Sequence, residues 1–102
     1  MRSRHRRDAN HADVRAAAER LGWMFEDTSQ THLGYDAILT RVGRTVRVEI
    51  KDGSKPMSAQ KLTPHEADVH STLRAHGVIV EILTCVEDLQ MLSRPPRARA
   101  EG

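Results

Sequence analysis

The stretch Tyr35-Asp36-Ala37-Ile38-Leu39-Thr40-Arg41-Val42-Gly43-Arg44-Thr45-Val46-Arg47-Val48-Glu49-Ile50-Lys51 decides the fold of this chain. Two β-rich runs, 36–42 and 45–51, flank Gly43-Arg44. That is the spacing of a two-residue hairpin in which glycine supplies a positive φ. In the second run Val46, Val48 and Ile50 alternate with Arg47, Glu49 and Lys51, so the two sets face opposite ways. With Gly43-Arg44 as the loop, Val42 pairs with Thr45, Ile38 faces Glu49 and Asp36 faces Lys51. Opposed residues share a sheet face, so Asp36, Glu49 and Lys51 project together near the open end of the hairpin. Asp36 and Glu49 are then diagonal neighbours, about 7–8 Å apart at Cα.

The flanking sequence supplies the rest of the layout. Upstream, Asp8 to Leu21 reads as a helix with Val14, Ala17, Ala18 and Leu21 on one stripe and Gly22 at its stop. Trp23 to Phe25 reads as a short strand, and 26–34 as a loop. Downstream, 52–62 is a polar loop with Gly53 and Pro56. Thr63-Pro64-His65-Glu66 is a capping box with proline at the first helical position. The helix it opens runs to His76 and closes at Gly77. Val78 to Leu83 reads as an apolar strand and Val86 to Leu92 as a short last helix. The order predicts an α/β fold, a mixed β-sheet (αβββαβ) flanked by helices. The helix after the hairpin is a crossover, so the fourth strand can join in parallel.

Composition bounds the function. The 102 residues fit one domain and one core, and 38% hydrophobic content with 3% aromatics leaves no material for a second. A domain this small gains from a partner that shares the stabilising load. No apolar run is long enough to cross a membrane. The Arg-rich start lacks the apolar stretch of a secretory signal. The single cysteine, Cys85, excludes an internal disulfide, fits a reducing compartment and is expected to act as a small buried hydrophobe. Together these point to the cytoplasm. Net charge is +2 with a pI near 9.1. Arginines cluster at 2, 4, 6 and 7 and again at 94, 97 and 99. Residues 1–7 read as a flexible basic arm, 8–93 as the folded domain and 94–102 as a disordered tail. Such clusters neutralise phosphates or simply solubilise a terminus.

The hairpin face carries a possible chemistry. Two carboxylates at that separation reach one divalent cation, and oxygen ligands that leave room for water suit Mg²⁺ or Mn²⁺. Lys51 beside them can hold an attacking water or stabilise charge growing on a phosphate. A solvated cross-face pair is the plainer reading of Glu-x-Lys on a strand. Arg44, Lys55 and Lys61 read equally as phosphate-binding cations or solvated charge. His70 reads as a packing or DNA-facing residue, and Trp23 as core. No histidine and cysteine spacing indicates a structural zinc site.

The chain resembles the PD-(D/E)XK nuclease superfamily, and more narrowly the small stand-alone VRR-NUC and Holliday-junction-resolvase-like proteins of phages. The residues that carry the resemblance are Gly34-Tyr35-Asp36-Ala37-Ile38-Leu39, Val48-Glu49-Ile50-Lys51-Asp52-Gly53, Lys61-Leu62-Thr63-Pro64-His65-Glu66 and the N-terminal Asp8-Ala9-Asn10-His11-Ala12-Asp13, over roughly residues 6–90. It implies a restriction-endonuclease-like core. It implies that Asp36, Glu49 and the Ile50 carbonyl bind Mg²⁺ or Mn²⁺ and that Lys51 is catalytic. Tyr35 stands where the family usually has proline. Many relatives carry a glutamate on the first helix, for which Asp13 and His11 are the nearest matches here. The expected function is metal-dependent DNA endonuclease activity, structure-selective for branched or Holliday-junction DNA, with a two-fold homodimer as the matching assembly and a bacterial or phage-infected cell as the setting. The rival is a nucleic-acid-binding module that keeps the fold with little activity.

Overall fold

The computed structural model describes residues 9–93. The expected basic arm, residue 8 at the first helix start and the expected tail lie outside the described residues. Helix α1 spans Ala9–Arg20, strand β1 Met24–Asp27, β2 Ala37–Arg41 and β3 Arg44–Ile50. A 3₁₀ turn at Met57–Gln60 leads to helix α2, Pro64–Ala75, followed by β4, Val80–Leu83, and helix α3, Asp88–Ser93. The result is a small α/β domain with a four-stranded mixed sheet in the order β1-β2-β3-β4. The first two pairings are antiparallel and β3 pairs with β4 in parallel, as the crossover through α2 requires. Among the described residues, no helix is long and apolar enough to cross a membrane.

The alternation in β3 sorts the sheet into two faces. Phe25, Leu39, Val46, Val48 and Ile50 pack with Val14, Ala17 and Ala18 of α1 and Leu89 and Leu92 of α3 in one buried cluster. Leu21, expected on the α1 stripe, lies just past the helix end and is exposed. The opposite face carries Glu49 and meets α2 through His70, whose Nε2 is 3.6 Å from Glu49 Oε1. Helix α2 begins with the complete capping box: the Glu66 N–H donates to Thr63 Oγ1 at 3.1 Å and the Thr63 N–H donates to Glu66 Oε1 at 2.9 Å.

The hairpin register differs from the sequence expectation. Arg41 pairs with Arg44 and Thr40 with Thr45, so the loop is Val42-Gly43 and not Gly43-Arg44. Both loop residues have positive φ, 50° and 76°, the pattern of a type I′ turn with glycine second. The arginines are kept in the strands by their partners. Arg41 Nη1 donates to the Leu21 carbonyl at 2.8 Å, and Arg44 Nη1 donates to the Leu92 carbonyl. Both guanidiniums lie over the buried Trp23 ring, at 5.4 and 5.9 Å. Trp23 is core, as expected. The register moves by two residues, an even number, so every side chain keeps its predicted face.

Candidate functional site

The corrected register brings the two acids closer. The ladder ends at the Ala37–Val48 pair, and just beyond it Asp36 lies beside Val48 and Glu49 instead of facing Lys51, its carboxyl sharing a hydrogen bond with that of Glu49. Asp36 also grips the strand on both sides of Glu49. Its N–H donates to the Val48 carbonyl at 2.9 Å, and its Oδ2 accepts from the Ile50 N–H at 2.8 Å. The carboxyl of Asp36 is thereby fixed against that of Glu49.

Glu49 is 1% exposed, and its Oε1 makes no hydrogen bond among the described residues. Burial, the charges of Asp36 and Glu66, and a hydrogen bond shared with Asp36 push its pKa up to about 9, against a smaller opposing pull from Lys51. At neutral pH, without a cation, Glu49 therefore holds a proton. Lys51 Nζ donates to Glu66 Oε1 at 3.0 Å and lies 3.5 Å from Glu49 Oε2. Burial alone would lower the lysine, but the Glu66 hydrogen bond and the charges of Glu49, Glu66 and Asp36 outweigh it and raise its pKa. Burial would likewise raise Glu66, yet the Thr63 backbone and Lys51 hold it below its ordinary value.

Glu66 is a site residue that the sequence indicated only as a helix cap. Its carboxylate caps α2 and receives Lys51 with the same oxygen, so the start of α2 and the end of β3 are tied at one atom. The N-terminal end of α1 also reaches this end of the sheet. Asn10 Nδ2 donates to the Lys51 carbonyl at 2.8 Å and to the Thr84 carbonyl at 3.3 Å, bridging the ends of β3 and β4. An open pocket of about 300 Å³ runs from Asp36 and Glu66 past Thr28, His32, Tyr35 and His65. His65 Nε2 meets the His32 carbonyl at 2.8 Å, so the loop before β2 is pinned to α2.

The remaining predicted site residues are placed as follows. His70 is 6% exposed, so it is not on a DNA-facing surface; its Nε2–H donates to the Gly34 carbonyl at 2.9 Å. Gly34 itself sits against Val69, which a Cβ would meet at 2.6 Å. Arg44 is at the opposite end of β3, five residues or about 16 Å from Glu49, and is engaged by Trp23 and Leu92. Lys55 and Lys61 are exposed on the segment between β3 and α2. His11 is buried against the Phe25 ring, with Nε2 3.9 Å from Asp27 Oδ2, and Asp13 is exposed on α1. Among the described residues the groups that act on Glu49 are Asp36, Glu66, Lys51 and His70, and neither His11 nor Asp13 joins them. Cys85 is half-buried, less enclosed than expected.

Comparison of the chain with protein-family models, with curated proteins and with solved structures returns no match. Among the described residues, no group of three or more His, Cys, Asp or Glu has metal-holding geometry. What the site does offer is a pair of abutting carboxyls, one with a buried oxygen that has no hydrogen bond. Hard oxygen donors of this kind fit Mg²⁺ or Mn²⁺, which take their remaining ligands from backbone carbonyls, water and phosphate.

Proposed function

We propose that the protein is a metal-dependent DNA endonuclease of the PD-(D/E)XK type, with a restriction-endonuclease-like core, and that it acts on branched DNA as a homodimer. The observation that carries the reading is the Asp36–Glu49 carboxyl pair, half-buried at Asp36 and buried at Glu49, with Lys51 3.5 Å from Glu49 on the same face. Asp36, Glu49 and the Ile50 carbonyl would hold Mg²⁺ or Mn²⁺. When bound, the cation would lower the pKa of water and polarise a phosphoryl oxygen. Lys51 keeps its proton through its acidic neighbours, so it presents a fixed positive charge where negative charge builds on a phosphate. Glu66 positions that ammonium. A two-fold dimer would match the symmetry of a four-way junction and enlarge the DNA-binding surface of a 102-residue chain.

One observation favours a second reading, a nucleic-acid-binding module with little activity. Among the described residues, helix α1 brings no carboxylate to the pair: Asp13 is exposed, and His11 is turned to Asp27.

Linear, nicked, flapped and four-way DNA, each incubated with Mg²⁺, Mn²⁺ or EDTA, separates the two. The nuclease reading expects cleavage that needs a divalent cation and disappears in Glu49→Ala and Lys51→Ala. Cleavage that survives both substitutions would sink it, as would none on any substrate with either metal. Binding without cleavage in every condition supports the module.

A further inference from the structure

We propose that Arg47, oriented by Tyr35, binds a DNA phosphate adjacent to the Asp36–Glu49 pair. The inference rests on reading this site as one for DNA, and it holds for the nuclease and the binding module alike.

The charge around Glu49 creates the need. Two carboxylates, Asp36 and Glu66, flank the buried Glu49 carboxyl, with the Lys51 ammonium beside them. Lys51 is already committed, 3.0 Å from Glu66 and 3.5 Å from Glu49. A phosphodiester brings a further negative charge, and like charges at this range repel. A further cation close by would favour DNA on this face with or without a bound metal.

Arg47 has the right position and state. It precedes Glu49 by two residues on β3, so it projects from the same face about 7 Å along the strand. Its pairing partners are Ile38 on β2 and Val80 on β4, and its neighbour Thr45 on that face is exposed. The guanidinium is half-buried, and among the described residues no carboxylate lies within 4.0 Å of it. What holds it is Tyr35. Arg47 Nε donates to Tyr35 Oη at 3.3 Å, and the guanidinium carbon is 5.7 Å from the ring centroid.

Arg15, Arg41 and Arg44 stand in contrast. Arg15 pairs with Glu19 and Asp27, Arg41 donates to the Leu21 carbonyl, and Arg44 to the Leu92 carbonyl. These have structural partners within the domain. Arg47 is partly desolvated with a neutral phenol as its anchor, which leaves its charge uncompensated and its Nη donors for a ligand. The planar fork of a guanidinium matches a phosphate, and an aromatic brace reduces the freedom lost on binding. Tyr35 is thus a positioning residue, and Arg47 the group that touches DNA.

The test measures binding to labelled duplex and flapped DNA over a range of salt. EDTA in one series and Ca²⁺ in another keep the readout separate from Mg²⁺-dependent cleavage. Arg47→Ala is expected to weaken binding about tenfold and to reduce the slope of log Kd against log salt by close to one phosphate contact, about 0.7–0.9. Arg47→Lys keeps the slope and loses several-fold in affinity. Tyr35→Phe loses affinity with the slope unchanged. Wild-type slope and affinity in Arg47→Ala overturn the inference even if cleavage is intact. Loss of the slope in a protein that cleaves nothing upholds it while the nuclease reading falls. Absence of DNA binding by the wild type in both series overturns it. Thermal melting checks the fold, and where Arg47→Ala does not fold, wild-type affinity in Arg47→Lys overturns the proposal.

Discussion

Replacing Glu49 with glutamine should stabilise the protein, and the gain should grow with pH. Glu49 titrates near 9 in the folded chain against 4.5 for the free side chain. Its folded pKa is raised, so the stability it contributes is complete below about pH 4.5 and is lost as pH rises towards 9. Each pH unit in that window costs about 1.4 kcal/mol, because the folded state binds a proton that the unfolded state has released. At pH 7 the accumulated cost is about 3 kcal/mol. Glutamine is nearly isosteric with the protonated acid, and its amide can donate to Asp36 as the acid proton does. It carries no such cost at any pH. Urea denaturation of both proteins from pH 4.5 to 9, without divalent cations, should show the variant's advantage rising from near zero to about 3 kcal/mol at pH 7. For a domain of this size that is a shift in Tm of more than about 10 °C. A difference that stays flat between pH 5 and 8 would show that Glu49 is not held protonated and would refute the reasoning.

Three further outcomes follow from the same geometry. Mg²⁺ or Mn²⁺ held by Asp36 and Glu49 must displace the shared proton, so millimolar cation should flatten the wild type's pH dependence and leave that of Glu49→Gln unchanged in the same titrations. Gly34→Ala forces a Cβ to 2.6 Å from the Val69 Cβ at φ 95°, and should cost about 2–4 kcal/mol by chemical denaturation, with Val69→Ala recovering only a fraction of it because that Cβ remains. Thr63→Ala removes one half of the capping box and should cost about 1 kcal/mol, read from the same denaturation curves.

The sequence carried the layout because its signals were local. Thr63, Pro64 and Glu66 marked the start of α2, Gly77 its end, and the alternation from Val46 to Lys51 assigned the two faces of β3. The turn differs from the sequence expectation for a physical reason. Val42 is β-branched and takes φ 50°, a conformation that its side chain disfavours, so local preference argued for glycine in the first loop position. Long-range contacts decided otherwise: Arg41 and Arg44 flank the buried Trp23 and bond to the Leu21 and Leu92 carbonyls. Asp36, Glu49 and Lys51 could be grouped in advance because an error of two residues preserves the face. Glu66 and His70 could not be grouped with them. They reach Glu49 only because the crossover lays α2 over the sheet, and no spacing within the chain encodes that approach. The capping-box glutamate beside a Glu-x-Lys strand was the available signal. His11 shows the converse, since its helix position suggested the site but its side chain belongs to Phe25 and Asp27.

Asn10 gives the first helix a second office. Its amide bridges the carbonyls of Lys51 and Thr84 like a clasp across two ribbon ends. The packing that keeps α1 folded lies further along, at Val14, Ala17 and Ala18. The two duties are therefore separable. Loss of the clasp alone, by Asn10→Ala, should leave the melting transition cooperative while loosening the strand end that presents Lys51. Asn10 thus acts as tuning hardware for the candidate site, and its loss would register at the strand end before it registered in folding.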